Sequence, residues 1–222
     1  MGLFEIHCHT SETSICGKVK AGDMVRLHKD AGFEGLCITD HYNEYHFETR
    51  FKRNSENFLI GYRIAREHGE KIGLKVLFGI EYRFAESPND YLLYGVDEDF
   101  VIRNPCMHEL TLKEFRDRCM DDKMLLIQAH PMRDGMEYVD LSLLDGMEVV
   151  NGNERHRPRN AKVRRYAAYN KLVMTSASDF HRESDLLKAP MDFENEINDI
   201  DDLISEIRAG RYSLIDNTKW NK

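Results

Sequence analysis

The sequence has no apolar run approaching the ~18 residues that a membrane span requires. Its start, Met1-Gly2-Leu3-Phe4-Glu5, carries no basic leader and no cleavage signal. No Cys-x-x-Cys spacing occurs, and the five cysteines (Cys8, Cys16, Cys37, Cys106, Cys119) are odd in number. Reduced thiols in a cytoplasmic protein are therefore expected rather than a disulfide framework. There is no Gly-x-Gly-x-x-Gly after a strand and no Walker-type loop, so nucleotide-fold motifs give no support. Internal repeats and low-complexity linkers are also missing, which favours one domain over residues 1–222. Basic residues are in deficit: 31 Lys+Arg stand against 39 Asp+Glu, for a formal net charge of −8. That balance excludes a general nucleic-acid coat. It leaves room for a small phosphorylated ligand in a local basic pocket.

What is present is an alternation. With 41% hydrophobic residues in 222, the chain can bury a substantial core. Seven short apolar runs read as strands: residues 4–9, 36–39, 75–81, 91–94, 124–129, 147–150 and 172–177. Between them lie stretches with helical spacing, at 21–31, 58–68, 111–122, 159–169 and 197–209. Thr111 and Glu114 offer a capping box. Residues 42–53 are polar and aromatic-rich and read as a loop or lid. Continuous apolar strands alternating with helices predict a parallel sheet covered by helices. About seven such units in this length fit a small closed barrel better than an open sheet.

The carboxyl ends of these strands carry a recurrent residue type. They hold His7 and His9, then Asp40-His41, then Glu81, then His130, then Asp179 with His181. A strand alternates its faces with period two, so His7 and His9 point the same way, and Asp179 and His181 repeat that geometry. In parallel barrels the carboxyl ends converge on one face, which holds the active site. A purely structural chain has no reason to end five apolar runs in metal-type ligands. Imidazole and carboxylate suit zinc, manganese or iron. Arg133 and the run Asn153-Glu154-Arg155-His156-Arg157-Pro158-Arg159 also follow strand ends. Arg133, Arg155, His156 and Arg159 are thus candidates to touch a substrate phosphate, arginine offering a planar fork matched to its oxygens. Asp40 is either a strand-end cap or a partner that orients a ligating histidine. Glu5 shares the face of His7 and His9 and reads as a hydrogen-bonded core carboxylate.

The order His-x-His, Asp-His, Glu, His-Pro, Asp-x-His resembles the PHP superfamily (polymerase and histidinol phosphatase). The strings His7-Cys8-His9-Thr10, Thr39-Asp40-His41, Gly79-Ile80-Glu81, Ala129-His130-Pro131 and Ser178-Asp179-Phe180-His181 all look like its motifs. The resemblance implies a distorted seven-stranded (β/α)7 TIM-like barrel with two or three divalent metals. By position, His7, His9, Glu81 and Asp179 would hold one metal. Glu81 would bridge to a second, held also by His130, and His41 and His181 would hold a third. Two positions depart from the family pattern. The second metal usually takes a further histidine at the fourth strand, where this chain offers Asp90, with Asp97 as the rival. The third usually takes an Asp or His in the loop after His-x-His, at about Ser14 and Ile15. Glu12 and Cys16 are the candidates to substitute.

The resemblance implies a metal-dependent hydrolase of phosphate esters. Two metals about 3.5–4 Å apart would share a bridging hydroxide that attacks phosphorus in line. The acidic charge and short chain favour a small monoester over a long nucleic acid. Histidinol phosphate, a nucleotide and an oligonucleotide end remain open as substrates. Two other classes remain in play: a non-catalytic, metal-stabilised structural module, and a metal hydrolase of carbon–nitrogen bonds.

Overall fold

The computed structural model describes residues 2–219. The chain opens with β1 (Gly2–Cys8), α1 (Ala21–Asp30), β2 (Phe33–Ile38), β3 (His41–Tyr42), α2 (Glu44–Thr49) and α3 (Ile60–Ile72). It continues through β4 (Lys75–Arg83), β5 (Asp90–Tyr94), α4 (Glu98–Arg103), α5 (Leu112–Cys119), β6 (Leu125–Gln128) and β7 (Gly146–Asn151). α6 (Asn160–Tyr169), β8 (Val173–Ala177), β9 (Met191–Phe193), α7 (Ile200–Ala209) and β10 (Tyr212–Leu214) complete it. The Thr111 capping box forms, with the Glu114 N–H donating to Thr111 Oγ1 at 3.1 Å and Glu114 Oε2 accepting from the Thr111 N–H at 3.0 Å.

All strands join one sheet in the order β10-β9-β1-β2-β4-β5-β6-β7-β8, with β3 attached to β4. The segment after β8 returns to β1: Phe180 N–H donates to the His7 carbonyl, and His9 N–H donates to the Phe180 carbonyl, both at 2.9 Å. The sheet is thereby nearly closed into a barrel. It has ten strands, not the expected seven. The three extra ones are the two-residue β3, beyond the break at Asp40, and the β9–β10 pair at the edge. Nor is the sheet wholly parallel, because β5 runs antiparallel to both β4 and β6. The physical reason is loop length. Only residues 84–89 separate β4 from β5, too few for the crossover that parallel neighbours require. The 42–53 segment is not a plain loop: it contains α2, whose N-cap Asn43 accepts from His46 N–H at 3.0 Å.

Strands of the sheet are buried on both faces, as a helix-covered barrel requires. In β1 the alternation sends Glu5 and His7 to one face, while Cys8 packs with Val25, Leu36 and Phe180 in the layer against α1. α7 lays Leu203, Ile204 and Ile207 on the sheet, each fully or almost fully buried. Burial of each such side chain contributes about 1.5–3 kcal/mol. Among the described residues no helix is long and apolar enough to cross a membrane.

Candidate metal centre

Local structure brings the strand-end residues together. β3 pairs with β4 in the register His41↔Glu81, which sets an imidazole directly beside the carboxylate. Two strand exits bend sharply: His130 has φ +30° and Asp179 φ +52°. A non-glycine residue in that region is strained by about 1–3 kcal/mol. Hydrogen bonds hold both bends. His130 N–H donates to Glu148 Oε2 at 2.8 Å, and Asn151 and Asn153 donate to Asp179 Oδ2 at 3.3 and 3.1 Å.

Glu81 sits at the centre. Its Oε1 lies 3.3 Å from His7 Nε2 and 3.0 Å from His130 Nε2. Its Oε2 lies 3.3 Å from His9 Nε2 and 2.7 Å from His41 Nδ1. Asp179 Oδ1 faces the same histidines, 3.6 Å from His7 Nε2 and 3.4 Å from His9 Nε2, with His181 Nδ1 at 3.2 Å. All of these side chains are buried or nearly so. Three sets of donors lie close enough to share a cation: His7, His9 and Asp179; His41, Glu81 and Asp90; and His9, Cys16, His41 and His181.

The outer partners fix which nitrogen faces inward. His7 Nδ1–H donates to Glu148 Oε1 at 2.9 Å, leaving the Nε2 lone pair for the centre. Ser14 spends its own proton on Asp40 Oδ1, at 2.6 Å, and accepts from His41 N–H at 3.0 Å. Its oxygen can then accept from His9 Nδ1–H, at 3.4 Å. His181 Nδ1–H donates to the Asp179 carbonyl at 2.8 Å. Nε2 of both His7 and His9 is buried with no hydrogen-bond partner. Two unpartnered buried lone pairs aimed at carboxylates are costly unless a cation completes them.

Charge follows from this crowding. Burial works against ionisation of Glu81 and Asp179, yet the surrounding imidazoles hold both well below the usual carboxylate range. Burial and the neighbouring His181 and His41 push His9 well below the ordinary histidine value. Burial raises Asp40 to about 7 against the bonds from Ser14 and Thr10, and raises Glu5 to about 7 against those from Ser178 and His7. Glu5 is the hydrogen-bonded core carboxylate expected, its Oε1 accepting from Ser178 N–H at 2.9 Å. Asp40 touches no histidine directly. It anchors the loop through Thr10 and reaches His9 through Ser14.

A profile of the PHP domain matches residues 5–210 of the sequence. The chain belongs to the PHP domain family. Solved structures agree on the fold. A two-domain protein from Bacteroides vulgatus, containing a predicted PHP-like metal-dependent phosphoesterase, is similar over 97% of this chain, with a TM-score of 0.71 at 15% identity. The chain spans 64% of that protein's length. PsfC from Pseudomonas syringae is similar over 97% of this chain and 92% of its own, with a TM-score of 0.67 at 16% identity. An amidohydrolase from Chromobacterium violaceum, solved with bound sulfate and no metal, covers 99% of both chains with a TM-score of 0.53 at 13% identity. No curated protein sequence matches the chain.

Within this PHP domain the departures from the family pattern can be read directly. Because β5 is antiparallel, its start lies on the face of the histidines and its end on the opposite face. Asp90 therefore reaches the centre, 3.8 Å from His130 Nε2. Asp97 instead caps α4, accepting from Phe100 N–H at 2.7 Å, and plays no part in the cluster. Asp90 is not free, however: Arg83 holds it with two bonds of 2.7 and 2.8 Å, and Arg133 stands at 3.4 Å. Glu12 points away. Its carboxylate accepts from Ala21 N–H at 3.0 Å, at the start of α1, whose orphan N–H groups need an acceptor. Cys16 occupies the place instead, with Sγ 3.1 Å from His181 Nε2. Burial raises its thiol, but bonds with His181 and His41 bring it down to about 6.

The basic candidates separate. Arg133 and Arg159 line a cavity of about 350 Å³, together with Pro131, the residue after His130, and Lys162, Tyr166 and Met132. Arg159 is braced there on the Met132 carbonyl and Asp134. His156 is exposed at the same end. Arg155 does not face this cavity: both its terminal nitrogens are engaged by Asp185, at 2.5 and 2.9 Å, and Asp185 in turn accepts from His181 N–H. Through Asp185 it braces the His181 loop. Sequence reasoning missed Glu148, Asn151, Asn153 and Arg83. Glu148 had a signal, a lone carboxylate inside the apolar run 147–150, which must find partners if buried.

Proposed function

We propose that this PHP domain is a metal-dependent phosphoesterase acting on a small phosphate monoester. The observation that carries the reading is the buried convergence of His7, His9, His41, Glu81, His130, Asp179 and His181, with unpartnered Nε2 atoms on His7 and His9. This donor set fits divalent cations: imidazoles that would be neutral once a cation displaced their protons, ionised carboxylates, and outer partners in place for His7, His9 and His181. His7, His9, Glu81 and Asp179 would hold one ion. Glu81, His130 and Asp90 would hold a second, Asp90 sharing its charge with Arg83. His41 and His181 would hold a third. Bound zinc, manganese or iron would supply Lewis-acid activation of water and of the phosphoryl oxygens.

The chain's own residues do the rest. Arg133 and Arg159 supply forked donors for phosphate oxygens at the mouth of the cavity, and His156 adds an imidazole at its rim. Met132, Met136 and Tyr166 give the organic part of the ester an apolar wall. At about 350 Å³ the cavity suits a small monoester and not a long nucleic acid. Asp40 and Ser14 keep His9 oriented, and Glu148 does the same for His7. A reducing, cytoplasmic setting would keep the five unpaired cysteines as thiols.

The test is a phosphate-release screen on metal-stripped protein, across sugar, nucleotide and amino-alcohol phosphates, with manganese, zinc and iron each restored. Release from a small monoester with at least one metal is expected. No release from any of them would overturn the reading. N-acyl substrates run in parallel, because one fold neighbour is an amidohydrolase.

A further inference from the structure

The loop after β1 carries a donor of a different kind from the rest of the centre. Cys16 Sγ stands 3.1 Å from His181 Nε2 and belongs to a set with His9, His41 and His181. Nε2 of His9, a member of this set, is fully buried with no hydrogen-bond partner. The loop is built rather than draped. Ser14 N–H donates to the Thr10 carbonyl at 3.0 Å, and Gly17 N–H donates to the Ser14 carbonyl at 3.1 Å. Lys18 N–H donates to the His181 carbonyl at 2.8 Å, so Cys16 and His181 are tied through backbone as well as side chain. Gly17 packs its Cα against the Thr10 backbone, where a Cβ would come within 2.6 Å of the carbonyl oxygen. The thiol is therefore held in place at two neighbouring residues.

We propose that Cys16 is a thiolate ligand that, with His41 and His181, makes a cation position of distinct metal preference inside the centre. The inference rests on the metal-binding reading above. His9 Nε2 also faces Glu81 and Asp179, at 3.3 and 3.4 Å, so it is drawn toward the neighbouring position. One sulfur and two imidazoles remain, one short of the four donors that zinc takes. Three protein ligands and an open place is the pattern of a catalytic zinc site. A soft thiolate selects zinc over manganese or magnesium, whereas the positions built on Glu81, Asp179 and Asp90 are nitrogen and oxygen only. The centre would thus be chemically asymmetric: one position that demands a thiophilic metal, beside others that accept harder ions. On binding, the Cys16 S–H proton leaves to solvent or buffer, and the sulfur lone pair forms the bond to the cation.

Cobalt reports the sulfur directly. Metal-stripped full-length protein is titrated with Co(II) and followed in the near ultraviolet, where sulfur-to-cobalt charge transfer absorbs. The expected result is a charge-transfer band that saturates with one equivalent and is absent from Cys16→Ser. Cys8 and Cys37 are fully buried away from the donors, Cys106 is exposed, and Cys119 packs against the core at the end of α5, so none of these four supplies the band. Cys16→Ser should bind one fewer equivalent of zinc, or bind it more than about 100-fold more weakly, beyond the usual effect of losing an outer partner. Cys16→Asp should restore that equivalent without the band and accept manganese there. Independently, zinc should protect Cys16 from iodoacetamide in the unsubstituted protein while Cys106 still reacts; this arm decides the matter if Cys16→Ser does not fold. Bound cobalt with no band, or a band that survives Cys16→Ser, overturns the thiolate ligand alone. No bound cobalt at all overturns the metal-binding reading with it.

Discussion

Replacing Glu81 with Gln keeps its size and removes one negative charge from the point where four imidazoles meet. Both carboxylate oxygens face histidine nitrogens, Oε1 at 3.3 and 3.0 Å and Oε2 at 3.3 and 2.7 Å. The change therefore weakens at least two cation positions at once. Losing an outer partner of a metal site costs roughly 10–100-fold in affinity. A carboxylate common to two positions should cost at least the upper end, about 100-fold. The readout is the rise in Tm on adding metal to stripped protein. At a free metal concentration about 1,000 times Kd, binding adds about 4.1 kcal/mol. For a domain of this length each kcal/mol moves Tm by about 2–4 °C, so the unsubstituted protein gains about 8–16 °C. After a 100-fold loss the same metal concentration is only about 10 times Kd and adds about 1.4 kcal/mol, or about 3–6 °C. Comparing increments rather than absolute Tm matters, because Glu81→Gln also disturbs the imidazole contacts of the stripped protein. Equal increments, with equal metal content after dialysis, would refute the central role given to Glu81.

Glu148→Gln should weaken metal binding by about 10–100-fold while leaving the donor set intact, because His7 Nδ1 and His130 N–H lose a charged acceptor; metal content at limiting free metal reads this. Gly61→Ala should lower both stability and metal affinity. A Cβ there meets Thr10 Oγ1 and comes within 2.9 Å of Asp40 Oδ2, the bonds that hold the β1 loop, and thermal unfolding with and without metal separates the two effects. Arg133→Ala should raise KM for a phosphate monoester by about tenfold or more with a smaller change in kcat, and steady-state kinetics check it. His28→Leu should reduce the acid sensitivity of folding. Burial depresses His28 to about 4, so the unfolded chain binds more protons between pH 6.5 and about 4. Its contribution is full above pH 6.5 and falls by about 3 kcal/mol as pH drops through that window, a slope that urea unfolding at several pH values should show flattened in the variant.

The strand ends were legible in sequence because apolar runs and metal-type residues use different alphabets. His7 and His9, Glu81, His130, and Asp179 with His181 each close such a run, and the structure brings all of them to one cluster. Chain direction was not legible. A run such as 91–94 looks the same whichever way it points, and only the short 84–89 connection reveals that β5 reverses. That reversal decides between Asp90 and Asp97. Short edge strands such as β9 and β10 escaped for a related reason: three residues carry too little periodicity to register. The partners of charged residues were equally hidden. Arg155 follows a strand end, but nothing near it in sequence announces Asp185, thirty residues on, which bonds both its terminal nitrogens. Glu12 was the natural oxygen donor for the β1 loop, but the start of α1 needed an acceptor and took it.

These outcomes share one cause, the demand that every buried polar group be satisfied. Glu148 has two oxygens and uses both, one on His7 and one on the His130 and Asn151 N–H groups. Asp40 has two and spends them on Thr10 and Ser14. Asp90 is matched by Arg83 and Asp185 by Arg155. For these four carboxylates acceptors and donors balance without any ion. In the inner layer they do not: His7 Nε2, His9 Nε2, His41 Nδ1 and one Glu81 oxygen lack hydrogen-bond partners. A fold that satisfies these carboxylates so closely around the cluster, and bends its backbone at His130 and Asp179, still leaves these four inward-facing atoms unmet at one place. Cations there would bond those atoms, which makes metal binding a source of fold stability as well as chemistry. Stripping the metal should therefore lower Tm even where no catalytic residue has been touched, and the loss should be largest for positions that share Glu81.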